Sequence, residues 1–259
     1  MGFGLIIIGD EILSGKREDK HFAQVRSLMA ARGLRLDRVS YLGDDRPRLT
    51  AALAQSFESG DIVFSCGGIG GTPDDHTRQA AAAALGLPLA LHPEARELIA
   101  TRMAEVDQPL TADRLSMGEF PDGAEIIPNP FNRIPGFSIR RHHFVPGFPV
   151  MAWPMLEWVL DNHYAHLFHG ERLAERSLRV EGIAEGTLTP LMRAVEAEFP
   201  GVRVFSLPHM DPVKQVAYHI ELGVKGPEER IEAAFVRLST GVAELAEEGG
   251  QAAERLRQS

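Results

Sequence analysis

The chain has 259 residues, 44% of them hydrophobic and 24% charged, with a net charge of −9. That length suits one large domain, or a medium and a small one, with room for a full core. The acidic balance argues against gripping nucleic acid or an anionic membrane through bulk charge. The single cysteine, Cys66, excludes an intrachain disulfide framework.

Gly2–Ile8 is apolar, lacks a basic flank and breaks at Asp10-Glu11. It reads as a first strand, Phe3–Ile8, buried on both faces, and not as a signal peptide. No apolar run is long enough to span a bilayer. With one cysteine and no leader, the expectation is a cytoplasmic protein without a membrane partner. A helix is predicted over Lys20–Arg32, with Phe22, Val25, Leu28 and Met29 on one side and Gly33 as its stop. Leu34–Leu42 reads as a second strand. Asp44-Asp45-Arg46-Pro47 opens the next helix with an acid at its cap and proline in its first turn; Leu49, Leu53 and Phe57 continue it to Gly60. Ile62–Phe64 reads as a third buried strand, and Asp75–Leu85 as an alanine-rich helix closed by Gly86. This strand–helix alternation predicts an α/β fold with a parallel sheet covered on both faces.

Pro93–Met103 is a further helix. Between Phe120 and Pro149, turn residues separate short strands at Glu125–Ile127, Phe137–Ile139 and His142–Val145. His142 and His143 read as a solvated strand edge, and Met151–Tyr164 as a helix anchored by Trp153 and Trp158. The character changes near His169-Gly170, which predicts two domains, 1–168 and 169–259. The second reads as a small α+β unit: strand Leu178–Ile183, helix Thr187–Phe199, strands Arg203–Leu207 and Gln215–Val224, and helix Pro227–Leu245, followed by a frayed polar end. Gly223-Val224-Lys225-Gly226, between a strand and a helix, has the form of a nucleic-acid clamp loop, although a lone GxxG is weak and the unit is itself acidic, so nucleic acid is not expected as a partner.

In open parallel sheets, ligands bind at the carboxyl ends of the strands. Three loops leave that edge: Gly9-Asp10-Glu11 with Ser14-Gly15 behind it, Gly43-Asp44-Asp45, and Gly67-Gly68-Ile69-Gly70-Gly71-Thr72-Pro73-Asp74-Asp75. The glycines let backbone N–H groups approach a phosphate at a helix N-terminus, and Thr72 and Thr77 offer hydroxyls. Asp10, Asp44, Asp74 and Asp75 would repel that phosphate unless a divalent cation such as Mg²⁺ lay between them. Such an ion also neutralises charge when a phosphate bond breaks or forms. Asp44 and Asp75 also sit where helix caps are expected. Cys66 reads as a small core residue. His163, His166 and His169 are spaced like ligands but lack an acidic partner.

These motifs carry a resemblance. "IIIGDEILSG" (Ile6–Gly15), "LGDD" (Leu42–Asp45), "GGIGGTPDDHTRQA" (Gly67–Ala80), "NPFNRIPGF" (Asn129–Phe137) and "VPGFP" (Val145–Pro149) together resemble the competence/damage-inducible protein A (CinA) family. The resemblance implies a three-layer molybdopterin-binding fold, as in MoaB and MogA, followed by a KH-type module, without the amidase domain of full-length members. It implies Asp44 and Asp75 as functional acids. It also implies a nucleotide or pterin-phosphate site built from Gly9, Asp10, Ser14, Gly67, Gly68, Gly70, Gly71, Thr72, Thr77, Asn129, Pro146 and Gly147, with a divalent metal at Asp10, Asp44, Asp74 and Asp75. The implied activity is metal-dependent cleavage of a nucleotide pyrophosphate such as ADP-ribose; molybdopterin binding or adenylylation, and non-catalytic nucleotide binding, are the alternatives. A homodimer is expected. The chain departs from the family where Gly71 replaces proline, His21 replaces asparagine, Asn132 replaces glycine, and Val150-Met151 replaces the stretch that carries an acid.

Overall fold

A computed structural model describes residues 2–170, 173–210 and 217–257. The chain forms two compact units, 1–169 and 170–259.

In the first unit, β1 (Phe3–Ile8) leads through the short helix α1 (Asp10–Leu13) into α2 (His21–Ala30), β2 (Arg38–Leu42), α3 (Arg46–Glu58), β3 (Ile62–Cys66) and α4 (Thr77–Leu85). Next come β4 (Leu89–Leu91), α5 (Pro93–Glu105), α6 (Ala112–Ser116), β5 (Glu119–Pro121), β6 (Glu125–Ile127), β7 (Gly136–Ile139), β8 (His142–Val145), α7 (Pro149–His163) and a 3₁₀ turn at Ala165–Leu167. Six strands form one sheet in the order β2-β1-β3-β8-β7-β6, while β4 and β5 make a separate antiparallel pair. β1 and β3 are buried at every position, as continuous apolar runs with both faces covered should be. One face packs on α2 and α7 around Val25, Met29, Met155 and Val159. The other packs around Leu49, Leu53, Ala80, Ala81 and Ala95 of α3, α4 and α5. Trp153 and Trp158 are half-buried against the first of these cores.

The expected parallel sheet is present over four strands and becomes mixed beyond them. β2, β1, β3 and β8 run parallel, and β7 runs against its neighbours β8 and β6. Only Arg140 and Arg141 separate β7 from β8, a connection too short for anything but a hairpin, and Arg140 takes the left-handed φ of +45° at the turn. This hairpin corrects the reading of the paired histidines. β8 is an internal strand, so His142 and His143 are 2% and 3% exposed. His142 Nε2 meets Ser56 Oγ at 2.8 Å, and His143 bridges Ser138 Oγ at 2.8 Å and the Tyr164 hydroxyl at 2.7 Å. Burial depresses both, His142 to about 4 and His143 to about 3. Phe22 is also exposed, contrary to expectation. α2 turns His21, Val25, Leu28 and Met29 inward, and Arg26 lies over the Phe22 ring.

The second unit runs β9 (Leu173–Val180), α8 (Glu185–Glu198), β10 (Arg203–Met210), β11 (Ala217–Pro227) and α9 (Glu228–Arg257). Its sheet is antiparallel in the order β10-β11-β9. Leu188, Val195, Leu222, Val224, Ile231 and Leu238 fill its core. Gly223–Gly226 lies inside β11 and pairs with β9 and β10 on its two sides, so it is strand and not a clamp loop. β9 begins earlier than expected, and α9 continues as helix through the polar segment taken as frayed. The start of the expected strand at Gln215 lies outside the described residues.

Candidate functional site

β1 sits between β2 and β3, so the chain crosses to opposite sides of β1 after leaving it, and this is where open sheets leave a crevice. β8 is parallel to β3, with Val145 opposite Cys66, so the Pro146–Phe148 turn joins the same edge. The turns after β1, β2, β3 and β8 surround a cavity of about 680 Å³.

The glycine loop is shaped by close contacts. Gly67 and Gly68 take φ of +111° and +67°. A methyl group would strike the Ile8 carbonyl oxygen at 67 and Thr77 Oγ1 at 68. Only glycine satisfies both the backbone and the space there. Each backbone amide needs a partner or water. The Gly67 amide donates to Val145 O at 3.0 Å and the Thr72 amide to Asp75 Oδ2 at 2.8 Å. The four amides between them, Gly68 to Gly71, find no acceptor among the described residues.

The carboxylates hold the turns to one another. The Asp10 amide donates to Asp44 Oδ2 at 2.8 Å, and the Asp44 amide returns to Asp10 Oδ1 at 3.3 Å. Asp75 Oδ2 accepts from both the Thr72 amide and its hydroxyl, the latter at 2.5 Å. Asp44 and Asp75 thus each commit one oxygen to the loops, and their Oδ1 atoms have no hydrogen bond among the described residues. Burial raises the Asp44 carboxyl above its ordinary value; the Asp10 amide opposes this, and the negative charges of Asp10, Glu11 and Asp74 add to it. Asp45, not Asp44, caps α3 by accepting from the Arg48 amide. α4 begins at Thr77 behind His76, so Asp75 belongs to the loop.

Of the residues expected at the site, Gly9, Asp44, Gly67, Gly68, Gly70, Gly71, Thr72, Asp74, Asp75, Asn129, Pro146 and Gly147 all border the cavity. Asp10, Ser14 and Thr77 do not. Ser14 is exposed and its hydroxyl turns to Glu11 O. Thr77 is fully buried and donates to Gly67 O at 3.1 Å. Asn129 is itself structural: its amide donates to Asn132 Oδ1 and Ile134 O and its oxygen accepts from the Phe131 amide, closing the 129–134 turn. Among the described residues no group of three or more His, Cys, Asp or Glu side chains gathers to hold a metal ion. The free oxygens of Asp44 and Asp75 still suit Mg²⁺, which commonly takes one or two carboxylates and completes its shell with phosphate oxygens and water.

Three basic residues were missed in the sequence reading. Lys16 and Arg17 border the cavity and bring positive charge to the acidic rim; their place directly behind Ser14-Gly15 was the available signal. Arg78 is 3% exposed. It donates to Gly70 O at 2.7 Å and also to Ser116 O, tying the glycine loop to the end of α6.

Residues 4–166 match the family described as probable molybdopterin binding domain, and the chain belongs to that family. It is 32% identical over 240 residues to a CinA-like protein of Anaeromyxobacter dehalogenans strain 2CP-C, covering 90% of this chain and 57% of that one. It thus spans little more than half the length of such relatives. A protein of Caldivirga maquilingensis is 30% identical over 231 residues, with 87% and 88% of the two chains covered. Among solved structures, CinA of Thermoplasma acidophilum, a protein of unknown function, is 26% identical with a TM-score of 0.57 over 62% of this chain and 98% of its own. No helix among the described residues is long and apolar enough to cross a membrane.

Proposed function

We propose that the first unit binds a phosphate-bearing nucleotide or pterin and hydrolyses a nucleotide pyrophosphate such as ADP-ribose with a divalent cation. The observation that carries this reading is the run of four amides, Gly68 to Gly71, bordering the cavity without acceptors. Successive N–H groups of this kind form an anion-binding concavity, and Lys16 and Arg17 add charge of the matching sign. Asp44 and Asp75 would hold the cation through their free oxygens, and the cation would offset the charge of the phosphates. One of the two carboxylates would accept a proton from the attacking water. That water adds to one phosphorus, the bridging P–O bond breaks, and AMP and ribose 5-phosphate leave.

Purified protein incubated with ADP-ribose and Mg²⁺ should release AMP, and an Asp44→Asn, Asp75→Asn double variant should not. No turnover with any nucleotide pyrophosphate, over a range of divalent ions, would remove the hydrolase reading. Tight binding without turnover would then leave a binding module. The family match favours a second reading, that the natural ligand is molybdopterin. Titration with a pterin phosphate, compared with ADP-ribose, separates the two.

A further inference from the structure

The sheet of the second unit has two unlike sides. Val180, Ile220, Leu222 and Val224 turn toward α8 and α9 in the core, so the residues that alternate with them face the other way. On that outer side His209 of β10 stands directly opposite His219 of β11, and the pairing shifts register only beyond them. His209 is exposed and His219 half-buried. Their rings stack, with centroids 4.4 Å apart and planes 13° from parallel. Burial, joined by the charges of Arg179 and His209, holds His219 below its ordinary value, against the opposing charges of Glu181 and Glu221. At neutral pH the ring is therefore uncharged, the form that ligates metal ions.

Opposed residues of an antiparallel pair have Cβ atoms about 4.5–5.5 Å apart. Two imidazole nitrogens that share one ion each lie about 2.0–2.1 Å from it, and so roughly 3 Å from one another. Side chains rooted at the first spacing can reach the second. The stacked planes must open for both lone pairs to meet one ion, and the χ2 torsion of histidine is broad enough to allow this. One nitrogen from each ring suffices; the other can keep a hydrogen bond, as metal-bound histidines commonly do.

We propose that His209 and His219 chelate a divalent transition ion of the Zn²⁺, Ni²⁺ or Cu²⁺ class across β10 and β11, with water completing its shell. Imidazole suits these ions, whereas Mg²⁺ takes oxygen ligands. The site therefore differs in kind from the cation site proposed for the first unit and does not rest on it. The acids Glu181 and Glu221 add negative charge beside the ion, and the ion ties β10 to β11 where their register begins to shift.

The test is isothermal titration of the full chain with Ni²⁺, in a buffer with excess Mg²⁺ so that sites for hard ions do not report. Wild type should bind one ion tightly. His209→Asn and His219→Asn should each weaken that binding by about 100-fold, the order of gain that linking two binding groups provides. An Asp44→Asn, Asp75→Asn protein should match wild type, and so should a His163→Asn, His166→Asn, His169→Asn protein, which removes the other closely spaced histidines. No tight Ni²⁺ site in wild type, or one that survives loss of both His209 and His219, overturns the proposal. Electron paramagnetic resonance of wild type with less than one equivalent of Cu²⁺ needs no variant to fold: coupling to two nitrogen ligands is expected, and coupling to only one overturns the chelate.

Discussion

Gly68 gives the sharpest test of how the loop is held. Its φ of +67° costs an alanine about 1–2 kcal/mol of backbone strain. The added methyl would also collide with Thr77 Oγ1. Thr77 is fully buried and β-branched, so it has few ways to yield; the simplest is to give up its hydrogen bond to Gly67 O, worth about 1 kcal/mol. Gly68→Ala should therefore destabilise the chain by about 2–3 kcal/mol, the sum of strain and lost bond. Thr77→Ala should cost about 1 kcal/mol. The double variant loses that bond only once and has no collision, so it should cost about as much as Gly68→Ala alone. The shortfall from additivity, about 1 kcal/mol, is the signature of the contact. Urea unfolding of the four proteins, at constant m, measures it. Costs that simply add, or a Gly68→Ala cost below about 0.5 kcal/mol, would refute the proposed geometry of the loop.

Arg78→Met removes the donors to Gly70 O and Ser116 O while relieving a buried cation whose Nε has no hydrogen-bond partner among the described residues. The net stability loss should be about 2 kcal/mol, with weaker pyrophosphate binding by titration; a variant matching wild type in both would show that the loop needs no tie. His142 and His143 are held neutral, with pKa values below those of the unfolded chain, so the unfolded state takes up protons first as pH falls. Stability should be complete above about pH 6.5 and fall toward pH 4 by up to about 1.4 kcal/mol per pH unit for each histidine. His142→Phe should roughly halve that slope in urea titrations at pH 4.5–7.5. Asp44→Asn removes one charge from an acidic rim: without divalent ions it should bind pyrophosphate several-fold more tightly than wild type, and with Mg²⁺ the order should reverse. Titration in EDTA and in Mg²⁺ reads both signs, and an unchanged order with Mg²⁺ would exclude Asp44 as a cation ligand.

The legible part of the fold was the part written in local chemistry. β1 and β3 are continuous apolar runs because both faces are covered, and Gly86 marks the end of α4 by taking φ +64°. The glycine loop showed itself because positions 67 and 68 tolerate nothing larger. What stayed hidden depends on partners distant in sequence. His142-His143 beside two arginines looks like a polar edge, and only the hairpin that inserts β8 between β3 and β7 makes it core. Arg78, in an alanine-rich helix, looks like a solvated cation until Gly70 and Ser116 are brought to it. Lys16 and Arg17 gained a role only when the turn after β1 closed over the glycine loop. Thr77 looked like a ligand donor because its hydroxyl follows the loop, but a bond back to Gly67 consumes it.

The coexistence of acids and an anion-binding loop follows from how the amides are shared out. Unpaired N–H groups are costly in a dry interior but inexpensive at an open rim, where water can take the acceptor's place until a ligand arrives. The outer amides of the loop and the amides of Asp10 and Asp44 are instead bonded inside the protein, and the acceptors for three of them are carboxylates: Asp44 and Asp75, which border the cavity, and Asp10, which does not. A neutral acceptor could make those bonds, but it would not leave a second, charged oxygen at the mouth of the cavity. The acids thus fix the positions of the turns with one oxygen and set the rim's charge with the other. Burial lifts the Asp44 carboxyl, with the charges of Asp10, Glu11 and Asp74 adding to it, and the rim's negative charge should keep a bare phosphate away unless Lys16, Arg17 or a cation offsets it. Affinity for an anion should therefore rise with divalent cation at fixed ionic strength, whereas screening by added monovalent salt should change it far less, because the groups concerned lie closer together than the Debye length of about 8–10 Å.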